Sequence, residues 1–277
     1  MTNHKEFKMS VITVCKNVEE KVEETLCSVI AQSYSNLEYI VVDGASADNT
    51  VSIIQKHAAK IGHWISACDQ GIYDAMNKGV AMASGEYIWF LGAGDSFPSA
   101  DIVSRVAAIL AEIPSTDILC GQVLNVDKER GLFRLSSSNL TADEVFSGYM
   151  HPHQGMVARR QLLLDHPFSL EYRIAADFAF FLACYLKKYQ IRYIDDCIAF
   201  FDCGGISGAS GAWIEEYEQI LQCTLPPARK QIWRSHLRQE RCKRFLMDVL
   251  SAIRMLTPVK VHLCGWNKSL PDKLRTE

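Results

Sequence analysis

Three aspartates, Asp43, Asp69 and Asp95, each stand where an apolar run of strand character gives way to glycine or a polar turn. The plainest case is Glu86-Tyr87-Ile88-Trp89-Phe90-Leu91-Gly92-Ala93-Gly94-Asp95: a strand apolar on both faces ends, glycines free the backbone, and a carboxylate follows. At the carboxyl edge of an open α/β sheet, such a position argues for a site rather than for packing. A carboxylate there can accept from a base N–H, bind ribose hydroxyls, or sit beside a divalent cation that anchors a diphosphate. Each aspartate alone could equally fasten a turn. Three of them at strand ends on one sheet are hard to explain as solvated surface.

The elements that must position them alternate at βαβ spacing. Met9 to Cys15 reads as a buried strand, and Asn17 with Glu20 as a near capping box for a helix striped by Val22, Leu26, Val29 and Ile30. Tyr39 to Val42 leads to Asp43, and Asp48 or Asn49 caps the next helix. His63 to Ala67 is a shorter strand, Ile72 to Ala83 a helix, and Glu86 to Leu91 the strand before Asp95. This order predicts a parallel sheet with right-handed crossovers. Beyond it come a helix at Ala100 to Leu110, a strand at Asp117 to Val126, a hairpin and loop from Asp127 to Tyr149, a helix at Asp177 to Leu186 and a strand at Arg192 to Phe201. Two helices, at about Ala212 to Gln222 and Ala228 to Leu256, close the chain. The expected division is an α/β catalytic domain over residues 1–210 and a helical extension over 211–277.

Composition excludes several classes. Ten cysteines without a C-x-x-C pair suit reduced thiols in a cytosol better than a disulfide frame or zinc site. Met1 to Phe7 lacks a signal-type apolar stretch, and no apolar run reaches the roughly 18 residues of a membrane span. The expected location is the cytoplasm. After the first strand the chain reads Cys15-Lys16-Asn17-Val18, with neither G-x-G-x-x-G nor a Walker lysine loop, which removes the main support for a nicotinamide or ATP-hydrolysing enzyme.

The net charge of −3 is unevenly spread, with twelve Lys and Arg against four Asp and Glu from Ala228 onward. There Ile232, Trp233, Leu237, Phe245, Leu246, Val249, Leu250 and Ile253 recur at helical spacing among seven cations. Such a helix can lie in an anionic membrane interface or dock on the catalytic domain with its cations in water. Nucleic acid is a poorer partner, because the rest of the chain is acidic.

Four segments together resemble one family. Ser10-Val11-Ile12-Thr13-Val14, Val41-Val42-Asp43-Gly44-Ala45-Ser46-Ala47-Asp48-Asn49-Thr50, Asp69-Gln70-Gly71-Ile72-Tyr73-Asp74-Ala75-Met76-Asn77-Lys78-Gly79 and Phe90-Leu91-Gly92-Ala93-Gly94-Asp95 are similar, in order and spacing, to the motifs of family 2 glycosyltransferases. The nearest likeness is to colanic-acid and other exopolysaccharide members, and it covers residues 9 to about 210.

The resemblance implies a GT-A fold and inverting transfer from a nucleotide diphosphate sugar. A basic tail lying in the membrane interface would suit a lipid-linked saccharide acceptor, with the protein peripheral on the inner face of the cytoplasmic membrane. Asp43 matches the base-contacting aspartate, Asp69 a second acid bordering the nucleotide, and Asp95 the last acid of the metal-binding D-x-D region, which implies Mg²⁺ or Mn²⁺. Gly92 and Gly94 stand where many members have further acids, so metal held by Asp95 should be weak. Asp177, in Ile174-Ala175-Ala176-Asp177-Phe178, lies where relatives carry their catalytic acid. It is the candidate base for the acceptor hydroxyl, against a plain N-cap role.

Asn77 could orient the donor and Lys78 face phosphate, against a solvated helix face. His153 and Gln154 are candidates for the acceptor side, Arg173 for the diphosphate, and Gly204-Gly205-Ile206-Ser207 for a lid of backbone donors or a simple turn. Two other functions stay open: nucleotidyl transfer on a similar fold, and a catalytically weak nucleotide-sugar-binding subunit.

Overall fold

The computed structural model describes residues 7–137, 139–204 and 212–226, with short pieces at 233–235, 238–239, 242, 267, 269–271 and 274. Its centre is β1 (Met9–Cys15), buried along its whole length, whose side chains alternate between two cores. Ile12 and Val14 join Ile40, Val42, Ile88 and Phe90 on one face; Met9, Val11 and Cys15 join Tyr39, Val41, Tyr87 and Trp89 on the other. An apolar run covered on both sides is what a central parallel strand requires.

β2 (Leu37–Asp43), β3 (His63–Ser66) and β4 (Tyr87–Phe90) pair parallel with this strand or with each other, as the βαβ order predicts. α1 (Val22–Ile30), α2 (Thr50–His57) and α4 (Ile102–Glu112) supply Leu26, Ile54 and Val106 to one core. α3 (Ile72–Met82) lies on the opposite face with Tyr73, Met76 and Val80. It packs so tightly that a Cβ on Gly79 would meet Ile12 Cγ2 at 2.5 Å.

The second half mixes directions. β5 (Ile118–Asp127) pairs antiparallel with β6 (Leu132–Leu135) and with β7 (Met156–Arg159), and β7 is inserted antiparallel beside β4. β8 (Ile191–Asp202) runs parallel to β5, and Phe200 bridges Ser96 just past Asp95. The order is β3-β2-β1-β4-β7-β5-β6, with β8 on β5.

Two sequence expectations need correction. Asn17 caps nothing: it adopts φ 51°, its side chain accepts from the Ala47 N–H, and α1 begins at Val22 with Lys21 at the cap position. The segment expected as hairpin and loop contains α5 (Ala142–Phe146), opened by a Thr141/Glu144 capping box. Beyond α6 (Arg160–Asp165) and α7 (Ala176–Leu186), α8 (Ala212–Thr224), the first helix after residue 210, buries Ile214, Ile220 and Leu221 with them. Tyr217 stacks on Phe178 at 4.1 Å. The helix expected over Ala228 to Leu256 lies mostly outside the described residues, as do Gly205 and Ser207.

Candidate active site

The in-register pairing of Cys15 with Asp43 and of Asp43 with Ser66 brings the first three strand ends level. Asp43 is fully buried there, and its oxygens are engaged locally. Oδ1 accepts from Ser46 Oγ, and Oδ2 accepts from the Ser46 N–H at 3.0 Å and Ser66 Oγ at 2.6 Å. Asp43 thus fastens the turn at Ala45, where φ is 57°, and ties β2 to the edge strand. The acid that overhangs this corner is Asp69. Its carboxylate lies over Gly44, where a Cβ would meet Oδ2 at 2.2 Å, and 3.7 Å from Lys16 Nζ.

Asn77 and Lys78 have other partners. The Asn77 amide donates to the Phe168 carbonyl and accepts from the Phe168 N–H, clamping the segment that leads to α7. Lys78 Nζ pairs with Asp74 at 2.9 Å and donates to the Cys68 carbonyl.

The second cluster is coupled side chain to side chain. Asp177 is buried near the start of α7; its Oδ1 accepts from Tyr73 Oη at 2.9 Å and from the Phe178 N–H. Its Oδ2 lies 3.1 Å from His153 Nδ1. The next residue, Gln154, donates its Nε2–H to Asp95 Oδ2 at 2.9 Å. Consecutive residues therefore join the two acids expected to do chemistry. Asp95 Oδ1 accepts from the Asp202 N–H at 3.0 Å, and Asp202 pairs with Lys21 at 2.8 Å.

Protonation follows these contacts. Burial pushes the Asp95 carboxyl up to about 6, against the Gln154 amide, the His153 charge and two backbone N–H donors. Burial is also the largest influence on His153 and pulls it down, but the bond to Asp177 and the charges of Asp177 and Asp95 raise it above the ordinary imidazole range. Asp202 is held below the carboxylate range: its burial is outweighed by Lys21, the Gly204 N–H and Lys128.

Glu216 on α8 holds the approach to Asp177. Its carboxylate accepts the N–H groups of Arg173, Ile174 and Ala175, each at 2.9 Å. The Arg173 side chain is exposed.

Residues 10–173 match the family described as glycosyl transferase family 2. The chain belongs to that family. A PGL/p-HBAD biosynthesis glycosyltransferase of Mycobacterium bovis is 33% identical over 204 residues, covering 72% of this chain and 78% of that one. A cholesterol galactosyltransferase of Borreliella burgdorferi is 24% identical over 69% of this glycosyltransferase and 58% of its own length. Among solved structures, S. aureus TarS 1–349 in complex with UDP-GlcNAc superposes with a TM-score of 0.66 at 22% identity, covering 83% of this chain and 71% of that one. The mannosyltransferase PcManGT from Pyrobaculum calidifontis, in complex with GDP-Man and Mn²⁺, gives 0.60 at 17% identity over 93% and 83%. These likenesses make the fold GT-A.

The donor set of this glycosyltransferase does not fit a metal ion held by the protein alone. Among the described residues no three His, Cys, Asp or Glu side chains group to hold one. Asp202 lies beside Asp95 at the strand ends joined by the Ser96–Phe200 bridge, and both oxygens of Asp95 already accept hydrogen bonds.

Sequence reasoning missed Tyr73, Asp202, Lys21 and Glu216. Asp202 carries a signal close to that of Asp95, an acid at the end of an apolar strand with glycine nearby, and Tyr73 sits inside the motif beginning at Asp69. Lys21 and Glu216 give no local signal, since only the tertiary fold brings them to the site.

At the tail, Trp233 is buried in the catalytic core with Arg234 over its ring at 5.5 Å. One aromatic of the basic tail is thus buried against this core. Among the described residues, no helix is long and apolar enough to cross a membrane.

Proposed function

We propose that this glycosyltransferase moves a sugar from a UDP- or GDP-linked donor to a saccharide carried on a lipid, with inversion, in the assembly of a bacterial surface polysaccharide. The observation that carries this reading is the chain of contacts Tyr73–Asp177–His153, with Gln154 continuing to Asp95. Inversion in one displacement needs a base on the acceptor side and stabilised charge on the leaving side. Asp177 takes the proton of the acceptor hydroxyl as the oxygen attacks the anomeric carbon. The bond from that carbon to the diphosphate oxygen breaks, and the nucleoside diphosphate leaves with the electron pair.

His153 as the base, oriented by Asp177, is the competing assignment that their 3.1 Å contact allows. Its raised proton affinity favours the charged imidazolium, which cannot accept a proton, so His153 serves better as the donor that holds Asp177. Asp69, with Lys16 beside it, is the better placed acid for the nucleoside, since it overhangs the level strand ends while Asp43 lies beneath.

An acceptor with an apolar body is supported by the names of the relatives, one of which acts on cholesterol. The basic composition of the tail, with Arg234 and Arg238 exposed near the buried Trp233, supports peripheral attachment at the inner face of the cytoplasmic membrane.

A panel of UDP- and GDP-sugars, first by thermal shift and then with saccharide-lipid diphosphates as acceptors, tests the reading. One donor should stabilise the protein and yield a product whose anomeric configuration, by NMR coupling, is opposite to the donor's. Retained configuration overturns the single displacement, and absence of stabilisation by every donor overturns the reading as a whole.

A further inference from the structure

Lys21 takes no part in the reaction steps above, yet it is fitted between two glycines beside the strand end of Asp95. Its ammonium pairs with Asp202 Oδ2 at 2.8 Å, and its side chain is 37% exposed. The stem lies against Gly94, where an added Cβ would meet Lys21 Cδ at 3.2 Å and Asp202 Oδ2 at 3.4 Å. The head lies against Gly204, where a Cβ would meet Lys21 Nζ at 2.9 Å. Gly94 also has φ 102°, a conformation that L side chains rarely adopt. Two glycines on separate loops thus form a cradle that any side chain would fill, and a lysine occupies it.

The lysine is anchored from several directions. It holds the cap position of α1, and Thr25 of that helix accepts the Gly94 N–H at 2.9 Å and donates to the Asp95 carbonyl at 2.7 Å. Asp202 is bound in turn to Asp95 and to the Gly204 N–H. The ammonium therefore stands at the meeting point of three loops, beside the strand end of Asp95. Among the described residues, one of its N–H donors goes to Asp202, which leaves two for an incoming anion.

We propose that Lys21, held by Asp202 in the Gly94–Gly204 cradle, is the cation that receives the diphosphate of the donor, so that nucleoside-diphosphate binding here does not require a divalent metal. The proposal rests on the nucleotide-sugar reading above and goes beyond it by assigning the charge that the sparse acidic set leaves unsupplied. A fixed ammonium offset by one carboxylate offers charge-assisted hydrogen bonds without first assembling a metal shell.

The test is calorimetric binding of UDP and GDP, each against its nucleoside, to the full chain in EDTA and in Mn²⁺. Wild type should bind one diphosphate in EDTA within about threefold of its affinity in Mn²⁺, more tightly than the nucleoside. Lys21→Met should lose roughly 10- to 100-fold of the diphosphate affinity and leave the nucleoside unchanged, as expected for charged hydrogen bonds to phosphate. Lys21→Arg should recover most of it. Lys21→Met leaves Asp202 without its partner, so Lys21→Met/Asp202→Asn, which removes both charges, is measured beside it and should show the same loss. Diphosphate binding by wild type only in Mn²⁺ overturns the proposal and leaves the reading of function standing, as do lysine variants that bind like wild type in EDTA. Wild type that binds neither diphosphate nor nucleoside under any condition overturns both.

Discussion

The two halves of the site use the same residue type in opposite ways. At the β1–β2–β3 corner, Asp43 is engaged with the hydroxyls and one backbone N–H of the neighbouring serines. At the β4–α7 end, Asp177 touches a phenol and an imidazole, the Gln154 amide continues the contacts to Asp95, and the charges of both acids raise His153. An acid surrounded by serines and main chain is part of the framework. An acid bonded to other titratable groups can exchange protons with a ligand. The difference lies in the partners, not in the strand-end position that all of these aspartates except Asp177 share.

Removing the framework acid should have the largest effect on folding. Asp43→Ala empties a fully buried position and removes the charged acceptor of the Ser46 and Ser66 donors, and should cost roughly 4 kcal/mol of stability in denaturant titration. A loss below about 1 kcal/mol would make Asp43 available for a ligand and erase the contrast.

A second break uses pH. His151 and His153 are two residues apart and shift in opposite directions. His151 is buried against Phe181 and Tyr193, its ring nitrogens have no hydrogen-bond partner among the described residues, and burial pulls it down to about 4. Because the unfolded chain binds the proton more readily, this stabilising contribution is complete above about 6.5 and is lost as pH falls toward 4. Asp95, raised to about 6, acts in the opposite sense over much of the same interval, so the comparison must be differential. His151→Phe should gain about 3 kcal/mol relative to wild type between pH 7 and pH 4. The raised His153 contributes stability below about 6.5 that is lost as pH rises through its folded value, so His153→Gln should flatten the alkaline side.

The third effect is smaller and sharpens the catalytic half. Glu216 holds the backbone before Asp177 through three N–H groups, so it is a positioning residue. Glu216→Ala should lower kcat by about tenfold, the equivalent of roughly 1.4 kcal/mol, with donor KM unchanged and with recovery in Glu216→Gln. A change in donor KM at constant kcat would place Glu216 with the nucleotide instead.

What the sequence made legible follows from how local each signal is. The central strands announce themselves because burial on both faces demands continuous apolar residues, as in Met9–Cys15 and Tyr87–Phe90. The polar staples between loops do not. Asn17 looks like a helix cap in sequence, but its partner is Ala47, and Glu19 reaches Asn49, so the β1–α1 and β2–α2 loops are sewn together by contacts about thirty residues apart. The Thr141/Glu144 capping box was readable and marks α5 despite the polar composition around it. The pairing of His153 with Asp177 and of Gln154 with Asp95 depends on β7 entering antiparallel beside β4, which nothing in the local pattern specifies.

The division of labour between the two acids is tested most directly by Asp177→Asn, measured for turnover and for donor affinity in one preparation. The account predicts a roughly 10²- to 10⁴-fold loss of kcat, the range expected for a positioned base, with donor affinity and folding midpoint close to wild type. Turnover within threefold of wild type would contradict it and remove Asp177 from the chemistry.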